Sequence, residues 1–564
     1  MSAVLDPATL VSRASQWLDQ DPDPETRAEL AELIDRVRAR EDLDAIAGLS
    51  SRFHARLHFG TAGLRAELGA GPARMNRVVV AQTAAGLASF LISEFEDPSI
   101  VIGFDARKNS RVFALDTAEI MAGAGIRTTV LPGELPTPVL AYAVRKWETS
   151  AGVMVTASHN PAQDNGYKVY LGGADGGSQI VPPSDGAIAS AIEHAATTRI
   201  ENYPRSDGYQ LADHEIVDSY VARVLSAHPP TSSDIRYVYT PLHGVGGQLA
   251  ERVFRAAGFT GFIPVAEQHE PDPTFPTVAF PNPEEPGALD LAIDLAARTG
   301  ADLVIANDPD ADRLAVAVPR DGGWAALAGN EIGLLLAERI TSRHARASSF
   351  ASSRTLACSL VSSPGLRAIA ADFQLGYRET LTGFKWISRV PELLFGFEEA
   401  LGYAVDLEAV RDKDGISAAV EFLALAAEAR ADGETIDDRM NALAQRYGAY
   451  ASTQISIRIG TPDAAAEIIA KLRADPPTRI AGDAVTAVDD FANGFGELPP
   501  SDIIRLRLSG GDRVIIRPSG TEPKLKVYID ARSLTGDGPE RRRRATAKVG
   551  RLSDAMRAIL ADGT

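Results

Sequence analysis

Apolar residues recur at helical spacing through the first fifty positions: Leu10, Ala14, Trp17 and Leu18, then Leu30, Leu33, Ile34 and Val37. Steps of three and four predict two amphipathic helices. Asp21-Pro-Asp-Pro separates them, because proline does not continue a helix interior. Beyond residue 50 the pattern changes to short apolar runs that end in polar or Gly-rich turns. Ser99-Ile-Val-Ile-Gly-Phe-Asp, Gly152-Val-Met-Val-Thr, Tyr237-Val-Tyr-Thr-Pro and Ala301-Asp-Leu-Val-Ile-Ala-Asn-Asp are four of them. Helical runs over Val80–Ser93, Leu249–Ala257 and Leu289–Ala297 alternate with these strands. Such alternation predicts mainly parallel α/β sheets, in which ligands gather beyond the carboxyl ends of the strands. There is no strong sequence repeat, yet the recurring pattern predicts similar consecutive domains. Proline-rich stretches at 181–183 and 271–286 read as boundary or surface loops. After residue 450 the texture becomes α+β. Thr453–Arg458 and Ile503–Leu508 alternate, Val514-Ile-Ile and Leu525-Lys-Val-Tyr-Ile flank a loop, and a helix closes the chain.

Composition narrows the classes. The 564 residues are 45% hydrophobic and 23% charged, which is ordinary for a globular chain of several domains. A net charge of -18 argues against nucleic acid or an anionic membrane as partner, since both require a basic face. A local basic pocket can still receive an anionic small molecule. Arg541 to Arg544 form the one dense basic run and read as a solvated helix face. The single cysteine, Cys358, excludes an internal disulfide and a Cys-based zinc site, and fits a reducing compartment. Met1 to Gln20 lacks a basic start followed by an apolar run, and no apolar stretch approaches bilayer length. The expectation is a cytoplasmic protein.

Three stretches carry chemistry. Thr156-Ala-Ser-His-Asn-Pro follows the strand Ala151-Gly-Val-Met-Val. Its flanks are not the Gly-x-Ser-x-Gly of a hydrolase elbow, and His159 is too close in sequence to activate Ser158 as a base. A phosphorylated Ser158, with cationic or metal partners, and a plain capped turn both remain open for this stretch alone. Asn307-Asp-Pro-Asp-Ala-Asp-Arg follows the strand Leu303-Val-Ile-Ala. Asp308, Asp310 and Asp312 alternate, so one loop can converge three carboxylates, which repel unless a cation sits among them. All-carboxylate ligation selects Mg²⁺, Mn²⁺ or Ca²⁺ over zinc. An EF-hand is excluded because Arg313 and Pro319 occupy its glycine and glutamate positions. A solvated acidic loop is the alternative. Arg517-Pro-Ser-Gly-Thr-Glu-Pro-Lys offers a guanidinium fork, two hydroxyls and open backbone N–H groups, the parts of a phosphate cradle, or else a hairpin turn. Gly60-Thr-Ala-Gly-Leu-Arg and Gly103-Phe-Asp-Ala-Arg are Gly-rich turns ending in arginine. Phe397-Glu-Glu-Ala-Leu-Gly-Tyr presents paired carboxylates, Glu398 and Glu399, suited to sugar hydroxyls or equally to the exposed start of a helix.

Taken together and in this order, these loops resemble the α-D-phosphohexomutase superfamily. Phe59-Gly-Thr-Ala-Gly-Leu-Arg, Leu381-Thr-Gly-Phe-Lys-Trp, Phe397-Glu-Glu-Ala-Leu-Gly-Tyr and Asp412-Lys-Asp-Gly-Ile-Ser are similar to its phosphoglucomutase-2 and phosphopentomutase branch. The resemblance spans nearly all of the chain after residue 50. It implies three similar mixed α/β domains and a C-terminal α+β domain around a central cleft. The implied boundaries are a helical extension over 1–50, domain I over 51–212, domain II over 213–325, domain III over 326–447 and domain IV over 448–564.

The same resemblance implies roles. Ser158 would be the phosphoserine, and Asp308, Asp310 and Asp312 with a phosphoserine oxygen would hold Mg²⁺. Arg65 and Arg313 would assist at the moving phosphoryl group, Lys168 would be the general acid/base, and His159 would orient the site. Lys168 is expected to have a lowered pKa in a crowded cationic pocket. Glu398, Glu399 and Lys385 would bind the sugar, and Arg517, Ser519, Gly520 and Thr521 the distal phosphate. The implied activity is interconversion of sugar 1- and 6-phosphates, glucose first, through a sugar 1,6-bisphosphate. Phosphopentomutase or phosphomannomutase activity by the same mechanism is the alternative. Ala400, where many members carry serine, and Phe384, where mannose-active members often carry histidine, tilt the expectation toward glucose or pentose. A sugar-bisphosphate synthase and a non-catalytic sugar-phosphate binder rank lower. A metal-dependent phosphatase would have no use for the Arg517 cradle. Partners are expected to be small sugar phosphates, with the chain a monomer or homodimer.

Overall fold

The computed structural model describes residues 6–40, 42–60, 63–228, 233–346, 353–458, 462–518 and 524–561. The chain divides into two compact units, residues 1–326 with 402–423 and residues 327–401 with 424–564.

The first unit begins with helices Pro7–Gln20, Pro24–Arg40 and Leu43–Phe53. The first starts where Asp6 accepts from the N–H groups of Ala8 and Thr9, with Pro7 at the first helical position, where its missing donor costs nothing. Leu10, Ala14, Trp17, Leu30, Ile34 and Val37 are buried and join one core with the first sheet. The third helix is absent from the periodicity reading. Asp42 caps it and Phe53 closes the bundle edge-on against Trp17, with ring centres 6.2 Å apart.

Two sheets follow, and each mixes directions. In the first, Ser99–Phe104 pairs in parallel with Arg127–Glu134 and Ala151–Val155. Asp164–Leu171 then pairs antiparallel with Ala151–Val155, and Leu64–Glu67 antiparallel beyond it. In the second, Ser233–Thr240 pairs in parallel with Phe259–Pro264 and Leu303–Ala306, and Ala315–Arg320 returns antiparallel. The expected parallel pairing therefore covers one side of each sheet, and antiparallel strands make up the other. The serine and aspartate stretches are not followed by crossover helices. Each is the loop of an antiparallel return, a connection that needs only a few residues where a parallel one needs a dozen or more.

The second unit holds a parallel sheet of Gly376–Thr380, Thr355–Ser359 and Leu393–Glu398. Its antiparallel sheet runs Ala449–Arg458, Lys524–Ser533, Arg513–Pro518, Ile504–Leu508 and Asp483–Asp490. Helices Pro462–Ala474 and Gly538–Ala561 cover that sheet, with Ile469, Leu552 and Met556 packed against Ile516, Val527 and Ile529. The arginine run on the last helix is not simply a solvated face. Arg541 donates to the carbonyls of Ala444 and Gln445 at 3.1 and 2.8 Å, and Arg542 donates to Asn441 and Asp437. The Ala444 carbonyl also accepts from the Gly448 N–H at 3.0 Å, and the last carbonyls of a helix lack intrahelical donors, so Arg541 supplies one to that of Gln445. Cys358 is buried in Thr355–Ser359, and burial pushes its thiol up to about 12, as suits a packing residue. Among the described residues no helix is long and apolar enough to cross a membrane.

Candidate active site

The loop between Ala151–Val155 and Asp164–Leu171 carries Ser158 at a left-handed φ of 52°, a conformation that costs a non-glycine residue about 1–2 kcal/mol. Its surroundings over-determine it. The Ser158 N–H donates to Thr156 Oγ1 at 2.8 Å. Arg107 Nη2 donates to the carbonyls of Ser158 and Asn160 at 2.6 and 2.5 Å, and Nη1 to those of Pro161 and Asp164 at 2.8 and 3.1 Å. Arg107 is buried over the ring of Phe275, 4.9 Å from its centre. One guanidinium thus satisfies four loop carbonyls. The Gly-rich turn Gly103-Phe-Asp-Ala-Arg thus ends in an arginine whose terminal nitrogens point into the serine loop. Arg65 is exposed and donates to Asn160 Oδ1 at 3.1 Å. The turn before it requires glycine, since Gly63 has φ +97° and a Cβ there would lie 1.8 Å from the Tyr167 carbonyl oxygen.

The loop between Leu303–Ala306 and Ala315–Arg320 buries Asp308, Asp310 and Asp312 almost completely. Ala311, at φ 53°, turns the chain between the last two. Many weak ties hold this loop. Tyr239 Oη donates to Asn307 Oδ1 at 2.8 Å, and Asn307 Nδ2 donates to the Arg313 carbonyl at 2.6 Å. The N–H of Val245 donates to the Pro309 carbonyl and that of Thr137 to the Asp310 carbonyl.

The two loops meet. Ser158 Oγ donates to Asp308 Oδ2 at 2.9 Å and lies 3.2 Å from His159 Nδ1. One ligand oxygen from each aspartate lies within 4.8 Å of the others. Asp310 Oδ1 and Asp312 Oδ1 are buried and accept no hydrogen bond. Three buried carboxylates, two of them with an unshared oxygen, fit a hard divalent cation. Burial first, then Asp310 and Asp312, push Asp308 up to about 8.

Lys168 projects from Asp164–Leu171 and donates to Asp310 Oδ2 at 2.6 Å and Asp312 Oδ2 at 2.9 Å. Burial acts to lower its pKa, but those two carboxylates outweigh it, so Lys168 is raised. This reverses the expected direction. The sequence reading counted neighbouring cations, whereas the atoms in contact with Nζ are anionic. Burial acts to raise Asp310 and Asp312, yet both are lowered, by Lys168 with Thr137 at Asp310 and by Lys168, Lys413 and Arg313 at Asp312. His159 is held well below the imidazole range by burial and then by Arg313 and Arg65. Arg313 reaches Glu284 at 3.3 Å and Asp308 at 3.8 Å.

Sequence reasoning gave no role to Lys413, whose Nζ lies 3.3 Å from Asp312 and 3.5 Å from Asp412. Its setting is built by neighbours. Tyr170 and Gln179 donate to Asp412, each at 2.7 Å. Tyr220 donates to Asp414, which caps the helix Gly415–Ala431. The stretch Asp412-Lys-Asp was legible as a motif, but not as a second cation beside the aspartates. Thr137, which donates to Asp310 Oδ2 at 2.5 Å, carries no signal of its own in the sequence.

In the second unit Glu399 follows the strand Leu393–Glu398, so of the two readings of this stretch the start of a helix is excluded. Its Oε2 accepts from Ser359 Oγ and Ser362 Oγ, each at 3.0 Å, and its N–H donates to Ser362 Oγ. Arg513 donates to the Ser362 carbonyl, to Asp530 at 2.7 Å and to Glu379 at 3.0 Å. The two serines were not foreseen. Glu398 accepts from the N–H of Gly383 at 3.1 Å, and Lys385 Nζ lies 5.7 Å from the Trp386 ring centre. Arg517 donates through Nη2 to Tyr528 Oη at 3.1 Å, and its Nε is buried with no hydrogen-bond partner. Ser519, Gly520 and Thr521 lie outside the described residues.

Models of the phosphoglucomutase/phosphomannomutase α/β/α domains I, II and III match residues 56–199, 218–323 and 328–447, and that of the C-terminal domain matches 462–535. A probable phosphomannomutase of Haemophilus influenzae is 52% identical over 459 residues, covering 81% of this chain and 93% of that protein. A probable phosphoribomutase of Schizosaccharomyces pombe is 36% identical over 556 residues, covering 92% and 93%. A solved phosphoglucomutase/phosphomannomutase family protein from Burkholderia thailandensis shares the fold, with a TM-score of 0.69 at 20% identity over 90% of this chain and 98% of that one.

Proposed function

Given that the chain belongs to the phosphoglucomutase/phosphomannomutase family of isomerases, with its four-domain architecture, we propose that it moves a phosphoryl group between C1 and C6 of glucose through phosphorylated Ser158. The single observation carrying this reading is Ser158 Oγ, 2.9 Å from Asp308 at the edge of the aspartate cluster. A hydroxyl there is poised to carry a phosphoryl group next to a cation.

In the forward direction the Ser158 Oγ–P bond breaks as a bond forms from phosphorus to the 6-hydroxyl oxygen of glucose 1-phosphate. Lys168, protonated between its carboxylates, is the proposed proton carrier: it gives its proton to Ser158 Oγ and is reloaded by the proton of the 6-hydroxyl. The bisphosphate then turns around, and its C1 phosphoryl group returns to Ser158 while the oxygen left at C1 takes the proton. Little covalent assistance is required, since phosphoryl transfer rests on in-line positioning and surrounding cations. Arg65 and Arg313 flank the moving group, and neutral His159 orients the serine. Asp308, Asp310 and Asp312 would hold Mg²⁺ together with a phosphoserine oxygen. When bound, that ion neutralises charge on the phosphoryl oxygens. Glu398, Glu399 and Lys385 bind the sugar, and Arg517, Ser519, Gly520 and Thr521 the phosphate that does not react. Binding energy at that distal phosphate orients the sugar.

A pentose 1-phosphate is the second reading, favoured by the relative named a phosphoribomutase along nine-tenths of the chain. Mannose is favoured by the 52% identical relative and disfavoured by Phe384 and Ala400, which offer the sugar no polar contact. The test is a panel of glucose, mannose, ribose and glucosamine 1-phosphates with Mg²⁺ and a trace of the matching bisphosphate. Glucose 1-phosphate is expected to turn over with the highest kcat/KM. A higher value for ribose 1-phosphate overturns the assignment of the sugar. Absence of a 5- or 6-phosphate from every substrate overturns the mutase reading.

A further inference from the structure

Arg513 divides its guanidinium among three groups of the second unit. Nε donates to Asp530 at 2.7 Å, Nη1 to Glu379 at 3.0 Å and Nη2 to the Ser362 carbonyl. The first two are the charge pairs that a buried cation requires. The third goes to a neutral oxygen. Charge alone would be met by an ammonium, and Glu379 already accepts from Arg505 at 2.8 Å. What the planar guanidinium adds is a further fixed donor for the carbonyl.

That carbonyl belongs to the turn that holds Glu399. The Ser362 N–H donates to the Ser359 carbonyl at 3.0 Å and closes the turn. The two serine hydroxyls lie 2.7 Å apart, and both meet Glu399 Oε2 at 3.0 Å. The Glu399 N–H donates to Ser362 Oγ at 3.0 Å. Ser362 thus joins Arg513, through its carbonyl, to Glu399, through its hydroxyl. Leu360 and Val361, inside the turn, pack with Ile515 and Tyr528, so apolar burial and Arg513 hold the turn on the same sheet. Alternation along Arg513–Pro518 places Arg513, Ile515 and Arg517 on one face, while Val514 and Ile516 join the core under the C-terminal helices. At about 3.4 Å per residue, Arg517 stands about 14 Å along this face from Arg513.

We propose that Arg513 is a positioning residue for sugar recognition, acting through Ser362 to fix the Glu399 carboxylate. The proposal rests on the reading of Glu399 as a ligand of the sugar. Arg513 and Ser362 are buried, so their effect on the sugar passes through Glu399, which is half-buried. One strand then carries both Arg517, the candidate phosphate ligand, and the residue that holds the sugar ligand in place.

A double-mutant comparison on the full chain decides it, with KM for glucose 1-phosphate measured at saturating Mg²⁺ and glucose 1,6-bisphosphate. KM does not change with the fraction of chains that fold, so a merely structural role leaves it unmoved. Glu399→Ala is expected to raise KM about tenfold or more. Arg513→Lys, which keeps the charge and loses the fork, raises it about fivefold in the parent but less than about twofold when Glu399 is already alanine. Ser362→Ala leaves the buried charges in place and is expected to show the same dependence on Glu399. An unchanged KM in Glu399→Ala overturns the sugar role of Glu399 and this proposal with it. A raised KM in Glu399→Ala, with Arg513→Lys at the parent value or adding its full factor in both backgrounds, overturns the positioning role alone. A Ser362→Ala effect that does not depend on Glu399 overturns the path through Ser362.

Discussion

The serine loop and the aspartate loop share a plan: each is the short connection of an antiparallel return at the edge of a parallel sheet. They are secured in opposite ways. The serine loop hangs on one buried group, Arg107, whose two terminal nitrogens serve four carbonyls. The aspartate loop is tied by single bonds from Tyr239, Val245 and Thr137, spread over several elements. The difference follows from what each must present. The serine loop presents one hydroxyl at a strained φ, and a single rigid fork fixes its path. The aspartate loop presents three mutually repelling carboxylates, and dispersed ties share that load.

The contrast predicts unequal responses to mutation. The largest is Arg107→Leu, which leaves four carbonyls and Asp105 without their cation. It is expected to lower the unfolding free energy by about 3–5 kcal/mol, measured by chemical denaturation. A loss under about 1 kcal/mol would break the idea that one side chain holds the loop. Asp310→Asn is expected to behave in the reverse sense. Removing one of three crowded charges relieves repulsion but deprives buried Lys168 of one of its two carboxylates, so the unfolding free energy is expected to fall by only about 1–2 kcal/mol, while kcat falls about 10²-fold or more through weakened cation binding. A variant that retains full kcat at saturating Mg²⁺ contradicts it. Tyr239→Phe removes one of the dispersed ties and is expected to cost only about 1 kcal/mol. A cost as large as that of Arg107→Leu would show that the aspartate loop also has a single anchor.

The parts legible in the sequence were those written locally. Ser158 and the alternating aspartates, which the structure brings together, each sit in a short stretch whose residue types single it out. Strand direction was not legible, because an apolar run reads the same whether its neighbour is parallel or antiparallel. The role of Arg107 was not legible, because a guanidinium that serves loop carbonyls and one that serves a ligand have the same letters around them. Lys413, Ser359 and Ser362 act through partners distant in the chain. The raised Lys168 shows the same limit, since its pKa direction is set by which atoms touch Nζ.

The central claim is that Ser158 carries the phosphoryl group. Its most direct test is intact-mass and peptide analysis after incubation with glucose 1,6-bisphosphate and Mg²⁺, followed by addition of glucose 1-phosphate. The account predicts one phosphate on the Ser158 peptide, discharged within the turnover time, and none on Ser158→Ala, whose mutase rate falls about 10³-fold or more. A phosphate at another residue, or a Ser158→Ala variant that turns over at the parent rate, would contradict it.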